Sequence, residues 1–357
     1  LGGDDFFLVL EGADLATARS ILDELRESLT QPIELEGMSV SLDFRAGLAT
    51  FPDHAGDPAA LMRRAEIAMY DAKQSYERII AYEPGRDEGH LRQLAIVANL
   101  PAALAGDELV LHYQPKADMT TGEIDQAEAL IRWIHPQFGF IPPDEFITII
   151  EQSGNISLLT EWVIDHAARQ CRDWLQRDLD IKLSVNLSAL DLLNENLPDL
   201  LQRALATYEL LPRQLTLEIT ESAVMRDPKA ALAVLARLRD AGLGLSIDDF
   251  GTGYSSLAQL KRLPVHELKI DKSFVMNLTG SSEDAVIVKS TIDLAHALGL
   301  KVVAEGVETA HGWEALRQFN CDMAQGYLIS KPLTARDFES WVRGIRQQSD
   351  RVLIKAA

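Results

Sequence analysis

From about residue 105 to residue 345, the chain alternates strand-like segments with segments of helical length, and few folds accommodate such a pattern. The predicted strands are 109–117, 123–133, 181–187, 214–220, 243–248, 266–270, 300–305 and 323–328. Segments with a 3.6-residue apolar period separate most of them, for example 157–177, 191–206, 228–241 and 283–298. Eight strands alternating with helices over roughly 240 residues predict a (β/α)8 TIM-like barrel of the α/β class.

The first two predicted strands are joined only by a short turn at Thr121-Gly122. Parallel strands need a long crossover connection, whereas antiparallel neighbours can be joined by a tight turn. We therefore expect the first strand to run antiparallel to its neighbour, which departs from the ideal barrel.

Polar side chains recur where the predicted strands end, and in barrels of this class the chemistry lies at those ends. The residues concerned are Glu128, Asn186, Glu218, Glu221, Asp248, Asp249, Lys269, Glu305 and Gln325. Any one of them alone would more often be a surface or capping residue. Their recurrence in strand after strand predicts a shared polar rim. An oxygen-rich ligand set without His or Cys favours a hard cation, Mg²⁺ or Mn²⁺.

The adjacent carboxylates of Asp248 and Asp249 stand within the sequence LSIDDFGTGYSS, directly after a strand with alternating apolar residues. Two like charges at the end of a buried strand repel each other, so a positive group is expected between them. One or two divalent cations would serve. The alternative for an isolated Asp-Asp pair is a solvated acidic turn.

Residues 1–85 are predicted to form a separate α+β segment. Its predicted elements are a hairpin at 1–10, helices at 14–29 and 58–75, the second with Asp57 as N-cap, and strands at 32–36 and 38–50. We interpret 86–105 as an interdomain linker helix, with membership of either core as the alternative, and 106–350 as the barrel. Because the chain begins at Leu1 inside a motif, we expect it to be part of a longer protein.

Composition restricts the partners of the chain. Its 357 residues carry a formal net charge of −20, which argues against binding to a nucleic-acid polymer. Cys171 and Cys321 are isolated in the sequence, so neither a disulfide framework nor a zinc cluster is predicted. No apolar run is long enough to span a bilayer. We expect a cytoplasmic location without membrane contact from this chain, although a preceding segment could anchor the parent protein.

Several motifs together resemble those of EAL-domain cyclic di-GMP phosphodiesterases. They are EAL at 128–130, followed by LEITES, DDFGTGYSSL, LKIDKSF, KVVAEGVET and QGYLISKPL. The resemblance implies hydrolysis of cyclic di-GMP to linear pGpG with two Mg²⁺ or Mn²⁺ ions per active site. It also implies that Glu128, Asn186, Glu218 and Asp248 hold one cation. Asp248 would bridge to a second cation that Asp249 also holds, with Glu305 close by.

The resemblance implies further roles around these ligands. Lys269 would contact the attacking water or the developing phosphorane charge, or act as a general base if its pKa were depressed; the alternative is a plain ion pair. Glu221 would steady the loop after Asp249. The residues implied in substrate binding are Gln114, Leu130, Arg132, Asp271 and Gln325, although an Arg before Trp is more often structural.

The front segment resembles the second half of a GGDEF (diguanylate cyclase) domain through GGDDF, VSLDFRAGLATFP and AEIAMYDAKQ. Asp5 replaces the family's glutamate, and the first half of such a domain is missing, so we expect no cyclase activity. A catalytically silent cyclic di-GMP receptor remains the alternative for the barrel. Such receptors typically lose the EAL glutamate, an aspartate of the pair or the lysine, all of which this chain keeps. Family resemblance also suggests a homodimer.

Overall fold

The computed structural model describes residues 6–35, 38–75, 77–252, 260–276, 278 and 283–356. The chain divides into two compact units, residues 1–98 and 99–357. The boundary lies within a single helix, α3, which spans Arg86–Ala105 and contains Pro101. This helix occupies the range predicted for the linker. Residues 1–5 of the hairpin predicted at 1–10, including Asp5, lie outside the described residues, and residues 6–10 do not form the predicted strand.

The first unit combines two helices with two small sheets. Its elements are α1 (Leu15–Leu29), β1 (Ile33–Leu35), β2 (Met38–Val40), β3 (Ala46–Leu48), α2 (Pro58–Gln74) and β4 (Ile79–Ala81). Strands β1 and β2 pair antiparallel, whereas β3 and β4 pair parallel. The Asp57 side chain caps α2 by accepting from the N–H of Ala60, as predicted.

The strand predicted at 38–50 is two short strands, and Asp43 lies in the interruption. Its carboxylate accepts from the backbone N–H of Phe44 and pairs with Arg26 at 3.0 Å. Such local side-chain bonds compete with the ladder of a sheet. Strand β4 was not predicted from the sequence, because three apolar residues are too short a run to show a period.

The second unit is a closed barrel with helices around it. Its strands are β5 (Leu109–Asp118), β6 (Gln126–His135), β7 (Gly139–Ile141), β8 (Lys182–Leu187), β9 (Leu215–Thr220), β10 (Gly244–Phe250), β11 (Glu267–Ile270), β12 (Lys301–Ala304) and β13 (Met323–Gln325). Its described helices are α4 (Pro143–Gln152), α5 (Ile156–Leu175), α6 (Leu197–Thr207), α7 (Glu221–Arg226), α8 (Pro228–Asp240), α9 (Lys272–Val275), α10 (Glu283–Ala297), α11 (Ala310–Gln318) and α12 (Ala335–Ala356).

The strand order β5-β13-β12-β11-β10-β9-β8-β6, with β6 returning to β5, closes the barrel. Strand β5 is antiparallel to both of its neighbours, and the other barrel neighbours are parallel. The predicted eight-stranded barrel and its antiparallel first strand are therefore confirmed. The short strand β7, which was not predicted, pairs with β6 outside the barrel.

The barrel strands are buried on both faces, since helices cover the outside and side chains fill the inside. In β9, for example, Leu217 and Ile219 are fully buried on one face and Glu218 is 1% exposed on the other. Alternation along each strand therefore places apolar residues under the helices and polar residues within the barrel. Among the described residues, no helix is both long and apolar enough to cross a membrane.

Candidate metal centre and active site

Two groups of carboxylates meet inside the barrel, near the carboxyl ends of β9, β10 and β12, together with Glu128, which lies near the start of β6. Glu128 on β6, Glu218 on β9 and Asp248 on β10 are buried, and each offers one oxygen within 4.8 Å of the others. Asp248, Asp249 and Glu305 form a second group under the same distance limit. Asp248 belongs to both groups, so the structure brings together all five carboxylates that the sequence singled out as cation ligands or their neighbour.

Strand pairing fixes the height of each side chain inside the barrel. Glu218 on β9 pairs in register with Asn186 on β8 and with Ser246 on β10, so the three face the barrel interior side by side. Glu128 lies two strands from Glu218, next to β8. Parallel strands in register deliver their carboxyl ends to one rim, which explains why residues far apart in sequence converge.

A backbone irregularity lets the adjacent Asp248 and Asp249 both face the site. In a regular strand, successive side chains point to opposite faces. Here Asp249 has a φ of +54°, a left-handed conformation that Asp tolerates better than most residues. The pairing of β10 with β11 shifts register between Ile247 and Phe250. The N–H of Asp249 donates to Oδ1 of Asp248 at 2.8 Å, which locks the turn.

Lys269, on β11, lies fully buried in the middle of these carboxylates. Its Nζ is 2.5 Å from Oε2 of Glu218, 2.6 Å from Oε1 of Glu305, 3.0 Å from Oδ2 of Asp248 and 3.5 Å from Oε2 of Glu128. Lys269 therefore forms ion pairs with the carboxylates, which the sequence analysis gave as the alternative to a catalytic role. Burial opposes the ammonium charge, but the surrounding carboxylates outweigh it and raise the pKa of Lys269 well above its ordinary value. A general-base role would require cations to reverse this shift.

The carboxylates exceed the positive charges available to them. Burial raises the pKa of Glu128 and Asp248, and raises that of Glu305 to about 8. It would also raise the pKa of Glu218, but the ammonium groups of Lys116 and Lys269 outweigh burial and lower that pKa. Glu218 is contacted by both lysines, whereas Glu128, Asp248 and Glu305 form ion pairs with Lys269 alone among the described lysines.

The neighbouring amides are held in a hydrogen-bonded chain. Nδ2 of Asn186 donates to Oε1 of Glu128 at 2.7 Å, and Nε2 of Gln325 donates to Oε2 of Glu128 at 2.7 Å and to Oε1 of Gln114 at 3.1 Å. Gln114 in turn donates to the carbonyl of Ser330 at 3.1 Å. Both glutamines are buried, and Oε1 of Gln325 has no donor among the described residues.

The other predicted residues lie around this centre. Leu130 and Arg132 follow Glu128 at alternate positions of β6 and are half-buried. Nη1 of Arg132 donates to the carbonyl of Ile131 at 2.8 Å. Asp271 caps α9 by accepting from the N–H of Ser273 at 3.0 Å, so its carboxylate stabilises the start of this helix.

Glu221 begins helix α7 and is buried. The backbone N–H of Gly251 donates to its Oε2 at 3.2 Å. This contact ties the end of β9 to the residues that follow Asp249, which is where the sequence predicted its action. The rest of that loop, 253–259, lies outside the described residues.

Sequence reasoning missed a second lysine inside the barrel. Lys116 on β5 is fully buried, and its Nζ lies 2.6 Å from Oε1 of Glu218, 2.8 Å from Oγ of Ser184 and 3.5 Å from Oε1 of Glu267. One signal was available: Lys116 stands two residues after Gln114 on the same strand, so the two side chains share a face.

The donor set fits divalent cations. Carboxylate and amide oxygens are the ligands that Mg²⁺ and Mn²⁺ prefer. Six described carboxylates belong to one of the two groups or pair with one of the two buried lysines. They are those of Glu128, Glu218, Asp248, Asp249, Glu267 and Glu305. Against these six stand two lysines, so four negative charges remain when all groups are ionised. Two divalent cations would neutralise them.

Comparison with known proteins gives matches for both units. The EAL domain family matches residues 97–332, and the family described as "Diguanylate cyclase, GGDEF domain" matches residues 1–78. The bifunctional diguanylate cyclase/cyclic di-GMP phosphodiesterase MucR of Pseudomonas aeruginosa is 42% identical over 337 residues, which are 94% of this chain and 49% of that protein. The cyclic di-GMP phosphodiesterase NbdA of the same organism is 37% identical over 355 residues, covering 96% of this chain and 44% of NbdA.

Solved structures agree with the fold. A complex of the MucR phosphodiesterase with c-di-GMP superimposes with a TM-score of 0.65 at 46% sequence identity, covering 68% of this chain and 99% of that one. The FimX EAL domain from Pseudomonas aeruginosa bound to c-di-GMP gives a TM-score of 0.62 at 28% identity, covering 67% and 96%. The chain spans about half the length of the two curated relatives. With the EAL profile covering most of the chain and the barrel geometry in agreement, this chain belongs to the EAL domain family.

Proposed function

We propose that this chain hydrolyses cyclic di-GMP to linear pGpG and that two divalent cations, Mg²⁺ or Mn²⁺, are required. The observation that carries the proposal is the pair of carboxylate groups that share Asp248 around the buried Lys269. The names of MucR and NbdA as cyclic di-GMP phosphodiesterases support the choice of substrate. Retention of every charged group in the cluster favours an enzyme over a silent receptor.

The arrangement of the site supports cleavage of a phosphodiester as the proposed reaction. Glu128, Asn186, Glu218 and Asp248 would hold one cation, and Asp248, Asp249 and Glu305 the other. Bound divalent cations activate a water molecule and neutralise charge on the phosphate oxygens. The ammonium group of Lys269 would stabilise the negative charge that develops on the phosphorus oxygens. Its enclosure by protein makes this interaction stronger than it would be in water.

We assign substrate binding to the remaining polar groups. Arg132 lies four residues after Glu128 on the same face of β6, and its guanidinium can bind a phosphate with two parallel hydrogen bonds. Gln325 presents a buried carbonyl oxygen that has no donor in the described part of the chain, and this oxygen would accept an N–H from the nucleotide. Gln114 holds Gln325 in that orientation.

The test is incubation of the purified chain with cyclic di-GMP and Mg²⁺ or Mn²⁺, followed by chromatographic separation of the nucleotides. We expect pGpG to accumulate with either cation and not to form when EDTA is present. The control variant Asp248→Asn should lose cation binding and turnover together, because both carboxylate groups depend on this residue. Tight binding of cyclic di-GMP by the parent chain without pGpG would identify a receptor instead.

We also infer a homodimer. Beyond the family resemblance, three large apolar side chains are exposed near each other in sequence: Met276 after α9, and Val286 and Ile287 on α10. Contiguous exposed apolar patches often mark association surfaces, and we infer that these side chains contribute to one. Light scattering across a range of concentrations tests this inference, and a constant monomer mass would rule it out.

A further inference from the structure

Lys116 and Lys269 approach Glu218 from different sides. Nζ of Lys116 contacts Oε1 of Glu218 at 2.6 Å, and Nζ of Lys269 contacts Oε2 at 2.5 Å. Both oxygens of this carboxylate are therefore engaged by lysines, although Glu218 is one of three buried carboxylates placed to hold a cation. The two lysines differ in what else surrounds them, and that difference gives them separate roles.

Lys269 lies where the cation ligands converge. Besides Glu218, its ammonium group contacts Glu128, Asp248 and Glu305, so a cation bound by these residues competes with it for the same oxygens. Lys116 has none of these three among its described ion pairs. Its other partners are Oγ of Ser184 at 2.8 Å and Oε1 of Glu267 at 3.5 Å. A cation that displaces Lys269 from Oε2 therefore leaves the contact of Lys116 with Oε1 in place.

This arrangement has a consequence for coordination. A carboxylate can bind a cation through one oxygen or through both. Oε1 of Glu218 is held at 2.6 Å by a fully buried lysine that is itself anchored by Ser184. The ammonium charge repels a cation at Oε1, so Oε2 is the favoured ligand. Mg²⁺ requires compact octahedral coordination with few protein oxygens, whereas Ca²⁺ accepts six to eight ligands and uses bidentate carboxylates.

We propose that Lys116 determines cation selectivity by restricting Glu218 to one-oxygen ligation, which disfavours Ca²⁺ relative to Mg²⁺ and Mn²⁺. Lys116 is a positioning residue in this role, since it acts through Glu218. The proposal rests on the proposed function in so far as both require a cation at this site. It predicts a selectivity that can be measured by binding alone, without turnover.

The test is calorimetric titration of the metal-free protein with Mn²⁺ and, separately, with Ca²⁺, for the parent chain and for Lys116→Met. Removing a positive charge near the site raises the affinity for both divalent cations by similar factors, so the ratio of the two dissociation constants isolates the change in ligation. We expect that ratio to shift toward Ca²⁺ by about tenfold, the size typical of groups that orient metal ligands. A ratio within threefold of the parent value would overturn the proposal.

Glu267→Gln is the matched control, because it changes the charge beside Lys116 without touching Glu218. We expect this variant to keep the parent ratio; a shift equal to that of Lys116→Met would attribute the effect to local charge and overturn the proposal. If Lys116→Met does not fold, the double variant with Glu267→Gln removes the unpaired carboxylate, and the same ratio decides. A parent chain that binds Mn²⁺ but makes no pGpG would count against the proposed function, while the binding ratios would still decide the role of Lys116.

Discussion

The two units of the chain differ in where their charged side chains lie. Every buried charged side chain among the described residues lies in the barrel unit, including Lys116, Glu218 and Lys269. In the first unit, charged side chains pair at partly exposed positions, as Arg26 does with Asp43. The described strands of the first unit have three residues each and form two-stranded sheets, which do not close around an interior. A closed barrel creates an interior in which opposite charges face one another away from water, and that interior makes a chemical site possible.

The largest effect is expected inside the barrel, from Lys269→Ala. We expect kcat to fall by about 10²–10⁴-fold at saturating Mn²⁺, because the charge that stabilises the developing anion is lost. Binding of cyclic di-GMP, measured by calorimetry, should change little. In EDTA the variant should lose roughly 3–5 kcal/mol of stability, since four carboxylates lose their buried partner. Turnover within about threefold of the parent, with only stability lost, would reduce Lys269 to an ion-pairing role.

Exchanging the cation should affect only the barrel unit. We expect Ca²⁺ to support turnover at least about tenfold more slowly than Mn²⁺, because its longer bonds and higher coordination number misalign the reacting groups. Thermal unfolding followed in EDTA and in Mn²⁺ should show stabilisation of the barrel by Mn²⁺ and no change in the first unit. Equal turnover with both ions would contradict the requirement for compact coordination.

A pair of glycine substitutions tests the independence of the two units. A Cβ at Gly326 would overlap the backbone of Val307, and a Cβ at Gly47 would overlap the backbone of Ala65 and Met69. Each alanine should therefore cost about 1–3 kcal/mol in its own unit. We expect Gly326→Ala to lower turnover by about tenfold through the adjacent Gln325. Gly47→Ala should leave turnover within threefold of the parent but expose 1–85 to limited proteolysis. Loss of turnover in Gly47→Ala would show that the units depend on each other.

Asp191 tests how the barrel unit accommodates a buried carboxylate without a lysine. Burial raises its pKa to about 6, although Oδ2 accepts from Oγ of Thr160 and from the N–H of Ser188. The folded protein therefore holds a proton that the unfolded chain releases near pH 4, so stability declines as pH rises from about 4 to above 6. The loss should reach about 2–3 kcal/mol at pH 8.

Asp191→Asn is expected to remove this pH dependence, because the amide oxygen can accept both hydrogen bonds without a charge. Denaturant unfolding of the parent and the variant at pH 5 and pH 8 measures the free energy of unfolding of each protein. The contributions of other titrating groups cancel in the difference between the two proteins. Asp191→Ala, which loses both hydrogen bonds, should be the less stable variant at pH 5. A parent-to-Asn difference that is the same at both pH values would show that Asp191 is ionised throughout.

No effect at all is expected when GTP is offered to the chain. The first unit matches only part of a GGDEF domain, and its GGDDF motif carries Asp5 in place of the family's glutamate. We expect no cyclic di-GMP from GTP and Mg²⁺ when the products are separated by chromatography, using Glu128→Gln so that hydrolysis does not hide synthesis. Any cyclic di-GMP formed would show that the first unit has diguanylate cyclase activity and would contradict this prediction.

The barrel and most of its rim were predictable because their signals are local. Alternating apolar residues, helical periods and turn residues identify strands and helices within a few positions, and a carboxylate at a strand end can be seen without knowing which strands are neighbours. The prediction was less complete where runs were short, as in β4 and β7, or where a side chain such as Asp43 interrupted a strand.

The sequence by itself determined that polar residues recur along seven of the eight predicted barrel strands, and that their oxygen-rich chemistry suits hard cations. Only the tertiary structure decided how they meet. Closure of the barrel brings Lys116 to Glu218 and Lys269 to Glu128, pairs that are 102 and 141 residues apart. The left-handed turn at Asp249 directs two adjacent carboxylates into one site, and no periodic pattern in the sequence predicts it. Contacts of this kind depend on strand register and enclosure, which arise only when the whole sheet closes.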